Sequence, residues 1–550
     1  MKPQPIPRWD RDTTLVSQIA AGASLLAFLF YFRRGDLLLY GDAVAHINIA
    51  RRVFDSQTPG LLQLGTVWLP LPHLLMIPFL VSDSAWQTGI GGSVPSVCAY
   101  VLGAAGVFRL VRGALRSCSA AEPEARMVAW LAAAIYAANP NLVYLQATAM
   151  TEPLYLALFL WAVVHFSEFV QAWRGASLDA RAARSSLTKC GLCVAGACLT
   201  RYDGWLLAAV IGLATLILVL RSQDSRQTLR PALAKFVLLI AAAPALWLGY
   251  NALIYRNPLE FANGPYSAKA IEQKSATAGQ PGHAGSNNLP VAFSYFLKSA
   301  ELNMAAGVSG RLWLTLLLAG TLIVLGVQLR LWPLLILCAP LPFYVLSVAH
   351  GGVPIFLPVW WPFSYYNARY GIEMLPAFAV FTTITTHFVL CRMPSRRTRI
   401  AAGLAPILLL VASYGFIWRE QPVCYREAWV NSRTRIALET ELAATLVRLP
   451  HDSTLLMYLG NHVGALQRAA IPLRRTINEG NHRPWKKPID PEGLWERALA
   501  DPRSYADYVV AIDGDPVASD ALRRDLSSIA VIRATGQPTA TVYWTHRPPR

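Results

Sequence analysis

A short stretch after the first apolar run, GDAVAHINIARR, places an acid, a histidine and two arginines on one predicted helix. Asp42 stands at the start of this helix, where its carboxylate could cap the first turn, act as a general base, or do both. His46 follows one turn later and faces the same side, as an interfacial histidine or as part of a site. The apolar side of the helix predicts that it lies on the membrane surface, with Arg51 and Arg52 toward the headgroups.

Glu152, in AMTEPLY, is a second acid at the end of an apolar run. The proline after it suits the first turn of a helix, where the helix dipole favours a negative charge by about 0.3–1 kcal/mol. A carboxylate close to hydrocarbon is nevertheless costly, and such residues usually have a function. Glu152 is therefore a candidate for the same site as Asp42.

Two arginines stand at the ends of later apolar runs, in TRYDGW and in ARYGIEM. Arg201 either neutralises Asp203 or binds a phosphate, while Asp203 orients it or contacts a sugar hydroxyl. Tyr202 between them suits an aromatic belt or a face on which a sugar stacks. Arg369, followed by Tyr370, either snorkels to the interface or joins Arg201 in an outward-facing anion site.

The chain that carries these residues has the composition of a membrane protein. Of its 550 residues 54% are hydrophobic and 15% are charged, whereas soluble globular proteins carry about 25% charged residues. The net charge is +17, and the basic residues recur in short clusters between apolar runs. That distribution is a topology signal and not a surface for nucleic acid. We therefore expect a multi-pass membrane protein with lipids, and no nucleic acid, around it.

Apolar stretches of near-membrane length predict about eleven transmembrane helices. They lie near residues 14–32, 90–111, 127–143, 152–170, 188–200, 204–220, 233–254, 311–328, 332–349, 370–390 and 400–417. The connections alternate between strongly and weakly basic, which places the N-terminus in the cytoplasm, across an inner or plasma membrane. The long segments near 33–89 and 256–310 then face outward, and the second is predicted to act as a lid over a substrate.

After residue 417 the composition changes to that of a soluble α/β domain. Strand-like runs appear at 454–459, 508–513, 529–533 and 540–545, with a helical stretch near 491–500. The sequence therefore predicts a membrane domain over 1–417 and an extracytoplasmic α/β domain over 418–550.

Cysteine and histidine spacing gives no signature of a metal site in this sequence. Cys190, Cys193 and Cys198 lie in a run of small apolar residues, CGLCVAGACLT, and are expected to pack as small hydrophobic side chains. No metal ligands are assigned, and the involvement of a divalent metal stays an open question.

The order of these motifs resembles the GT-C superfamily of multi-pass glycosyltransferases, nearest to the protein O-mannosyltransferase and aminoarabinose transferase group. That family follows its first span with the pattern D-E-A-x-x-x-x-x-A-R, and Asp42 and Arg51 have this spacing in GDAVAHINIAR. WLPLPHLL, TEPLY, RYDGW and ARYGIEMLPAFA resemble further segments of these enzymes. The second acid of the D-E pair is Ala43 here, which leaves Asp42 to act alone or with Glu152.

The resemblance implies transfer of a hexose or pentose from a polyprenyl phosphate to a hydroxyl of a protein, glycan or lipid on the outer face. Asp42 would accept the proton of the acceptor hydroxyl as it attacks the anomeric carbon, which gives inversion. Arg201 and Arg369 would stabilise the departing phosphate. The residue types and the resemblance together make Asp42 and Glu152 the candidates for catalysis. The candidates for substrate binding are His46, Arg51, Arg201, Tyr202, Asp203, Arg369 and Tyr370.

A transporter or flippase of lipid-linked sugars is the alternative from another class. Such a protein should show repeat-related halves with broken helices and polar residues near the bilayer centre. The ionisable residues of this chain concentrate instead at the outer ends of spans, which favours an enzyme at the membrane boundary.

Overall fold

The computed structural model describes residues 9–174, 179–221, 223–275, 283–460, 462–481, 492–521 and 526–546. Helices fill the first part of the chain and a mixed sheet follows. The helices of the first part are α1 (Arg11–Arg34), α2 (Gly41–Arg52), α3 (Leu71–Met76), α4 (Asp83–Thr88), α5 (Ile90–Ser117), α6 (Glu122–Ala137), α7 (Pro140–Leu145), α8 (Glu152–Arg174), α9 (Ala180–Cys198), α10 (Asp203–Leu220), α11 (Gln223–Tyr255), α12 (Glu260–Asn263), α13 (Ala268–Ser275), α14 (Leu289–Met304), α15 (Gly307–Gly326), α16 (Pro340–His350), α17 (Leu375–Leu390), α18 (Arg396–Glu420) and α19 (Val423–Leu446). A 3₁₀ segment at Leu329–Cys338 precedes α16 and another at Ala368–Met374 precedes α17.

Nine helical stretches in the described ranges are long and apolar enough to cross a membrane. The chain is therefore an integral membrane protein, as its composition predicts. Each of the eleven predicted spans overlaps a helix, but α6, with 16 residues, and α9 are not among the nine. The number of crossings accordingly stays a prediction.

Helix α2 is packed inside the protein, so its predicted position on the membrane surface is wrong. Ala43, Ile47 and Ala50 are completely buried. A Cβ atom added at Gly92 of α5 would lie 2.4 Å from the Ile47 side chain, which shows how closely the two helices approach. The apolar side of α2 is therefore covered by neighbouring helices and not by lipid.

The segment over 256–310, which the sequence predicts to face outward and which we call the outer segment, contains helices and is not a simple loop. It contains α12, α13 and α14, and α14 packs against α16 and the 3₁₀ segment that precedes α17. Gly371 in that segment has no room for a side chain, because an added Cβ would lie 2.3 Å from the Ser299 backbone of α14. Residues 276–282 of the predicted lid lie outside the described residues.

The C-terminal part forms a five-stranded sheet with the order β2-β1-β3-β5-β4. The strands are β1 (Leu455–Met457), β2 (Thr476–Ile477), β3 (Tyr508–Ile512), β4 (Ser527–Ile532) and β5 (Ala540–Trp544), with short helices α20 (Gly464–Arg468), α21 (Leu494–Ala500) and α22 (Pro502–Tyr505) between them. β1 runs parallel to β2 and β3, whereas β5 is antiparallel to β3 and β4. Side chains of β1 and β3 alternate between two cores: Leu455 and Val510 join the main one, and Leu456 and Val509 a second, smaller one.

Helix α19 connects the two parts and begins within the membrane helices. The backbone N–H of Cys424 donates to the Asn141 side chain at 2.9 Å, and the Tyr425 hydroxyl donates to Asp36 at 3.1 Å. Both residues lie beyond the predicted boundary at 417, so the first turns of α19 pack with the membrane domain. The division at 417 stays a prediction.

Candidate active site

Three helices direct their N-termini toward one another and carry an acid in the first turn. These acids are Asp42 on α2, Glu152 on α8 and Asp203 on α10. The helix dipole stabilises a negative charge at each of these positions. The Asp42 side chain makes no capping hydrogen bond, and Tyr40 holds the N-cap position of α2. The carboxylate of Asp42 is therefore not occupied by capping.

Arg369 lies at the centre of these acids. Its Nη2 donates to Asp42 at 2.5 Å and its Nε donates to Glu152 at 3.1 Å. Its Nη1 donates to Glu427 of α19 at 2.9 Å, and its backbone N–H donates to the other oxygen of the same carboxylate at 3.2 Å. The Arg369 side chain is 8% exposed. A buried guanidinium needs such paired and hydrogen-bonded acids to offset its desolvation.

Arg201 is the second cation of the cluster. Its Nη1 donates to Glu152 at 3.3 Å and its Nε approaches Asp203 at 3.4 Å and Glu373 at 3.5 Å. Its Nη2 donates to the Tyr344 hydroxyl at 2.6 Å, and that hydroxyl donates to Asp203 at 3.0 Å. Glu152 thus links the two arginines. We call Asp42, Glu152, Arg201, Asp203, Arg369, Glu373 and Glu427 the charge network.

Tyr370 lies between the two guanidinium groups. Its ring centroid is 5.2 Å from the Arg201 guanidinium carbon and 5.0 Å from that of Arg369. Tyr40 stacks on the other side of Arg369 at 5.1 Å. These cation–π contacts fix the orientation of both guanidinium groups.

Asp42 is the acid of the charge network that reaches open space. Its side chain is 38% exposed, whereas the side chains of Glu152 and Glu427 are each 1% exposed. Asp203 and Glu373 are also buried, at 2% and 0%. An incoming molecule would therefore meet Asp42 first, with Arg369 directly behind it.

Glu373 and Glu427 were not among the residues predicted from the sequence. Glu373 stands four residues after Arg369 at the start of an apolar span, where a buried acid is itself a functional signal. Glu427 lies on α19 in a polar stretch that the sequence assigns to the soluble domain, so nothing local marks it as buried. Tyr344 was missed for a similar reason, since one tyrosine in an apolar helix is unremarkable.

His46 lies close to the network and pairs with His73. Nδ1 of His46 and Nε2 of His73 are 2.9 Å apart, and one of them donates. Burial, and then the nearby Arg369 and Arg201, lower the pKa of His46 to about 3. Burial and the neighbouring His46 lower the pKa of His73 well below its usual value. Both imidazoles are therefore neutral near neutral pH.

Two of the predicted substrate-binding residues lie elsewhere. Arg51 is buried in an ion pair with Asp55 at 2.8 Å and one with Asp83 at 2.5 Å, so it fixes the first outer segment. Tyr202 donates to the Val67 carbonyl at 2.9 Å and stacks on Phe261 with centroids 4.8 Å apart. Both residues hold connecting segments in place. Of the other seven candidates, five belong to the charge network, Tyr370 contacts its two arginines, and His46 lies nearby.

The charge network does not have the arrangement of a metal site. In the described part of the chain, one group brings three possible ligand atoms within 4.8 Å of one another: Glu124, His387 and Cys391. That group lies at the opposite end of α17 from Arg369. The acids of the network face guanidinium groups instead, and these supply the positive charge.

The fold is similar to that of solved membrane proteins. ArnT from Cupriavidus metallidurans bound to undecaprenyl phosphate shares 12% identity, with 97% of this chain and 99% of that chain covered and a TM-score of 0.55. Its apo state gives 13% identity, 97% and 98% coverage, and the same TM-score of 0.55. The apo oligosaccharyltransferase of Archaeoglobus fulgidus shares 12% identity over 91% of this chain and 69% of that chain, with a TM-score of 0.49.

These comparisons concern structure alone. No family model and no curated protein matches the sequence. The likeness to ArnT over nearly the full length confirms the predicted architecture, a helical membrane domain followed by a small C-terminal sheet domain.

Proposed function

We propose that the chain is a membrane glycosyltransferase that moves a sugar from a polyprenyl-phosphate donor to an acceptor hydroxyl on the outer face. The observation that carries the proposal is the half-open Asp42 carboxylate, held 2.5 Å from the buried Arg369. A base that reaches solvent beside a fixed cation suits a reaction in which a hydroxyl loses a proton while a phosphate departs. The structure similar to this chain was solved with undecaprenyl phosphate, which supports a lipid-phosphate donor.

Arg369 and Arg201 would bind the phosphate of the donor. The Nη2 of Arg369 faces Asp42, the exposed end of the network, and a phosphate would compete with Asp42 for that nitrogen. Donor binding would then release the carboxylate of Asp42 to accept the proton of the acceptor hydroxyl. Binding of the donor would thus place the phosphate leaving group on Arg369 and free Asp42 to act as the base.

The chemical step is a single displacement with inversion. The acceptor oxygen forms a bond to the anomeric carbon as the bond from that carbon to the phosphate oxygen breaks. The acceptor proton passes to Asp42, and the phosphate leaves with the electron pair toward Arg369. Preorganised charges aimed at a developing anion contribute most to such a step.

The remaining acids act through the two arginines. Glu152 bonds to both guanidinium groups, at 3.1 Å and 3.3 Å, so it holds them at a fixed separation and is a positioning residue. Glu427 fixes Arg369 from the opposite side, and Asp203 fixes Arg201 directly and through Tyr344. The ring of Tyr370, between the two guanidinium groups, would contact the sugar.

The proposal includes an orientation and a set of partners. The N-terminus would lie in the cytoplasm, and the C-terminal sheet domain would lie outside with the charge network. The acceptor would be a protein, glycan or lipid, and no nucleic acid would take part. A flippase of lipid-linked sugars is the alternative, and the concentration of the network at one end of the helices disfavours it.

A vesicle assay separates the two functions. The purified protein is reconstituted with a polyprenyl-phosphate sugar that carries a label on the sugar. Two quantities are measured: the release or transfer of the sugar, and the movement of the lipid across the bilayer. The proposal predicts sugar transfer, with inverted anomeric configuration by NMR, and no accelerated lipid movement. Lipid movement without any cleavage of the sugar–phosphate bond would establish the flippase and refute the transferase.

A further inference from the structure

A cavity separate from the charge network lies between the outer segment and the C-terminal sheet domain. Its volume is about 380 Å³, within the range of sites for small ligands. Tyr266 of the outer segment lines one side. Tyr458, His462 and Asp513 of the sheet domain line the other. The sequence marked this part of the outer segment as a lid, and the charge network makes no use of the cavity.

The cavity opens where the topology of the sheet predicts a binding site. β1 and β3 are parallel neighbours, and β2 pairs on the far side of β1. The chain thus changes direction across the sheet between β1 and β3, and ligands of open α/β sheets bind beyond the carboxyl ends of strands at such a point. Tyr458 directly follows β1, and Asp513 directly follows β3.

The lining chemistry suits a neutral, hydroxyl-rich ligand. Tyr266 of the outer segment and Tyr458 of the sheet domain both line the cavity, so each part of the chain contributes an aromatic ring and a hydroxyl. Asp515 is occupied, since its carboxylate accepts backbone N–H bonds from Ile512 at 3.1 Å and Ala518 at 2.6 Å. Asp513 is exposed, so its carboxylate is the acceptor offered to a ligand.

The cavity does not suit the phosphate of a lipid donor. Its lining contains two aspartates and, among the described residues, no lysine or arginine. Prolines and tyrosine rings supply flat apolar faces beside the Asp513 carboxylate. Sugar rings present hydroxyl groups at their edges and apolar C–H groups on their faces, and both find partners here.

Helix α2 connects the cavity with the charge network. Asp42 lies at its start and Arg52 at its end, about 15 Å apart along the axis. Arg52 reaches the sheet domain, because a Cβ atom added at Gly480 would lie 3.5 Å from its Nη1. The adjacent Glu479 accepts hydrogen bonds from the two backbone N–H groups that follow Tyr458. The two ends of α2 therefore lie at the charge network and against the sheet domain that carries the cavity.

We propose that this cavity binds the carbohydrate part of the acceptor, a neutral or amino-bearing oligosaccharide, and so selects the acceptor for the transferase. The inference deepens the proposed function and rests on it. Asp513 accepts hydrogen bonds from sugar hydroxyls, and the rings of Tyr458 and Tyr266 contact the sugar faces. The outer segment and the sheet domain close on the ligand from opposite sides.

Glycan binding tests the cavity without requiring catalysis. The full-length protein in lipid nanodiscs is applied to an array of immobilised neutral and amino-bearing oligosaccharides. Wild type should bind at least one of them, and Asp513→Asn should weaken that binding about tenfold, the effect of one weakened hydrogen bond to a charged group. Tyr458→Leu, which removes the flat ring that contacts the sugar face, should also weaken it. Asp520→Asn, an exposed acid of the same domain outside the cavity, should bind like wild type.

Absence of binding to every glycan, or equal binding by Asp513→Asn, would overturn the inference.

A kinetic comparison separates the proposed glycan site from the proposed transferase activity. Release of the donor sugar to water, without acceptor, should be unchanged in Asp513→Asn, while the KM for the bound glycan as acceptor rises about tenfold. An equal loss of donor hydrolysis would assign the cavity to the donor and overturn the inference. Glycan binding by a wild type that releases no sugar would keep the glycan site and refute the transferase.

Discussion

Replacement of Glu427 by glutamine tests the arginine arrangement at the residue least visible in the sequence. One carboxylate oxygen accepts from Arg369 Nη1 at 2.9 Å and the other from the Arg369 backbone N–H at 3.2 Å. A glutamine of the same shape keeps one acceptor and turns an N–H₂ group toward the other donor. Glu427→Gln therefore removes one charge-assisted hydrogen bond and creates a contact between two donors.

The magnitude follows from the partners that Arg369 retains. Breaking a buried ion pair with a single partner costs about 3–5 kcal/mol. Arg369 keeps Asp42 and Glu152, so the loss should be nearer that of one hydrogen bond to a charged group, about 1.5–3 kcal/mol. If this arrangement is needed in the transition state, kcat/KM for sugar transfer should fall about 10- to 150-fold.

The assay compares kcat/KM for the variant and wild type in the same detergent, with the thermal unfolding midpoint as a check on folding. Glu441→Gln is the matched control, because Glu441 lies on the same helix but is exposed. It should retain wild-type activity. A folded Glu427→Gln protein with kcat/KM within about twofold of wild type would refute the role given to Arg369.

Three further perturbations give distinct results. Arg201→Lys keeps the charge but loses the planar fork, so the donor KM should rise about tenfold or more. Tyr344→Phe removes the hydroxyl that accepts from Arg201 at 2.6 Å and donates to Asp203 at 3.0 Å, and kcat/KM should fall about tenfold. Burial raises the pKa of Asp515 to about 6 from 3.8, so the folded state holds this proton more tightly than the unfolded state. Stability should then fall as pH rises through that interval, and unfolding midpoints should lose this part of their pH dependence in Asp515→Asn.

The sequence predicts most of the helices and strands because their signals are local. Every predicted span overlaps a helix, and the four strand-like runs correspond to β1, β3, β4 and β5. β2 has two residues, which is too short for an alternating pattern. The predicted position of α2 on the membrane surface was wrong because an amphipathic pattern predicts an apolar side but not whether lipid or protein covers that side.

Some charged residues of the site have a local signal in the sequence, and others do not. Asp42, Glu152, Arg201 and Arg369 stand out because ionisable groups at the ends of apolar runs are rare and costly. Glu427 lies beyond the last predicted span, in the part that the sequence assigns to a soluble domain, and becomes buried through the packing of α19. Arg51 has Asp55 four residues later, the spacing of a helical ion pair, which was the available signal for its structural role.

The most direct test of the proposed transferase is sugar transfer by Asp42→Asn. Asparagine has nearly the same shape and can still accept a hydrogen bond from Arg369, so the fold should persist, but it is not a base. The account predicts donor cleavage and sugar transfer by wild type, and a loss of at least about 100-fold in kcat by a folded Asp42→Asn protein. Equal turnover by the two proteins would contradict it, because the half-open carboxylate beside Arg369 would then take no part in the reaction.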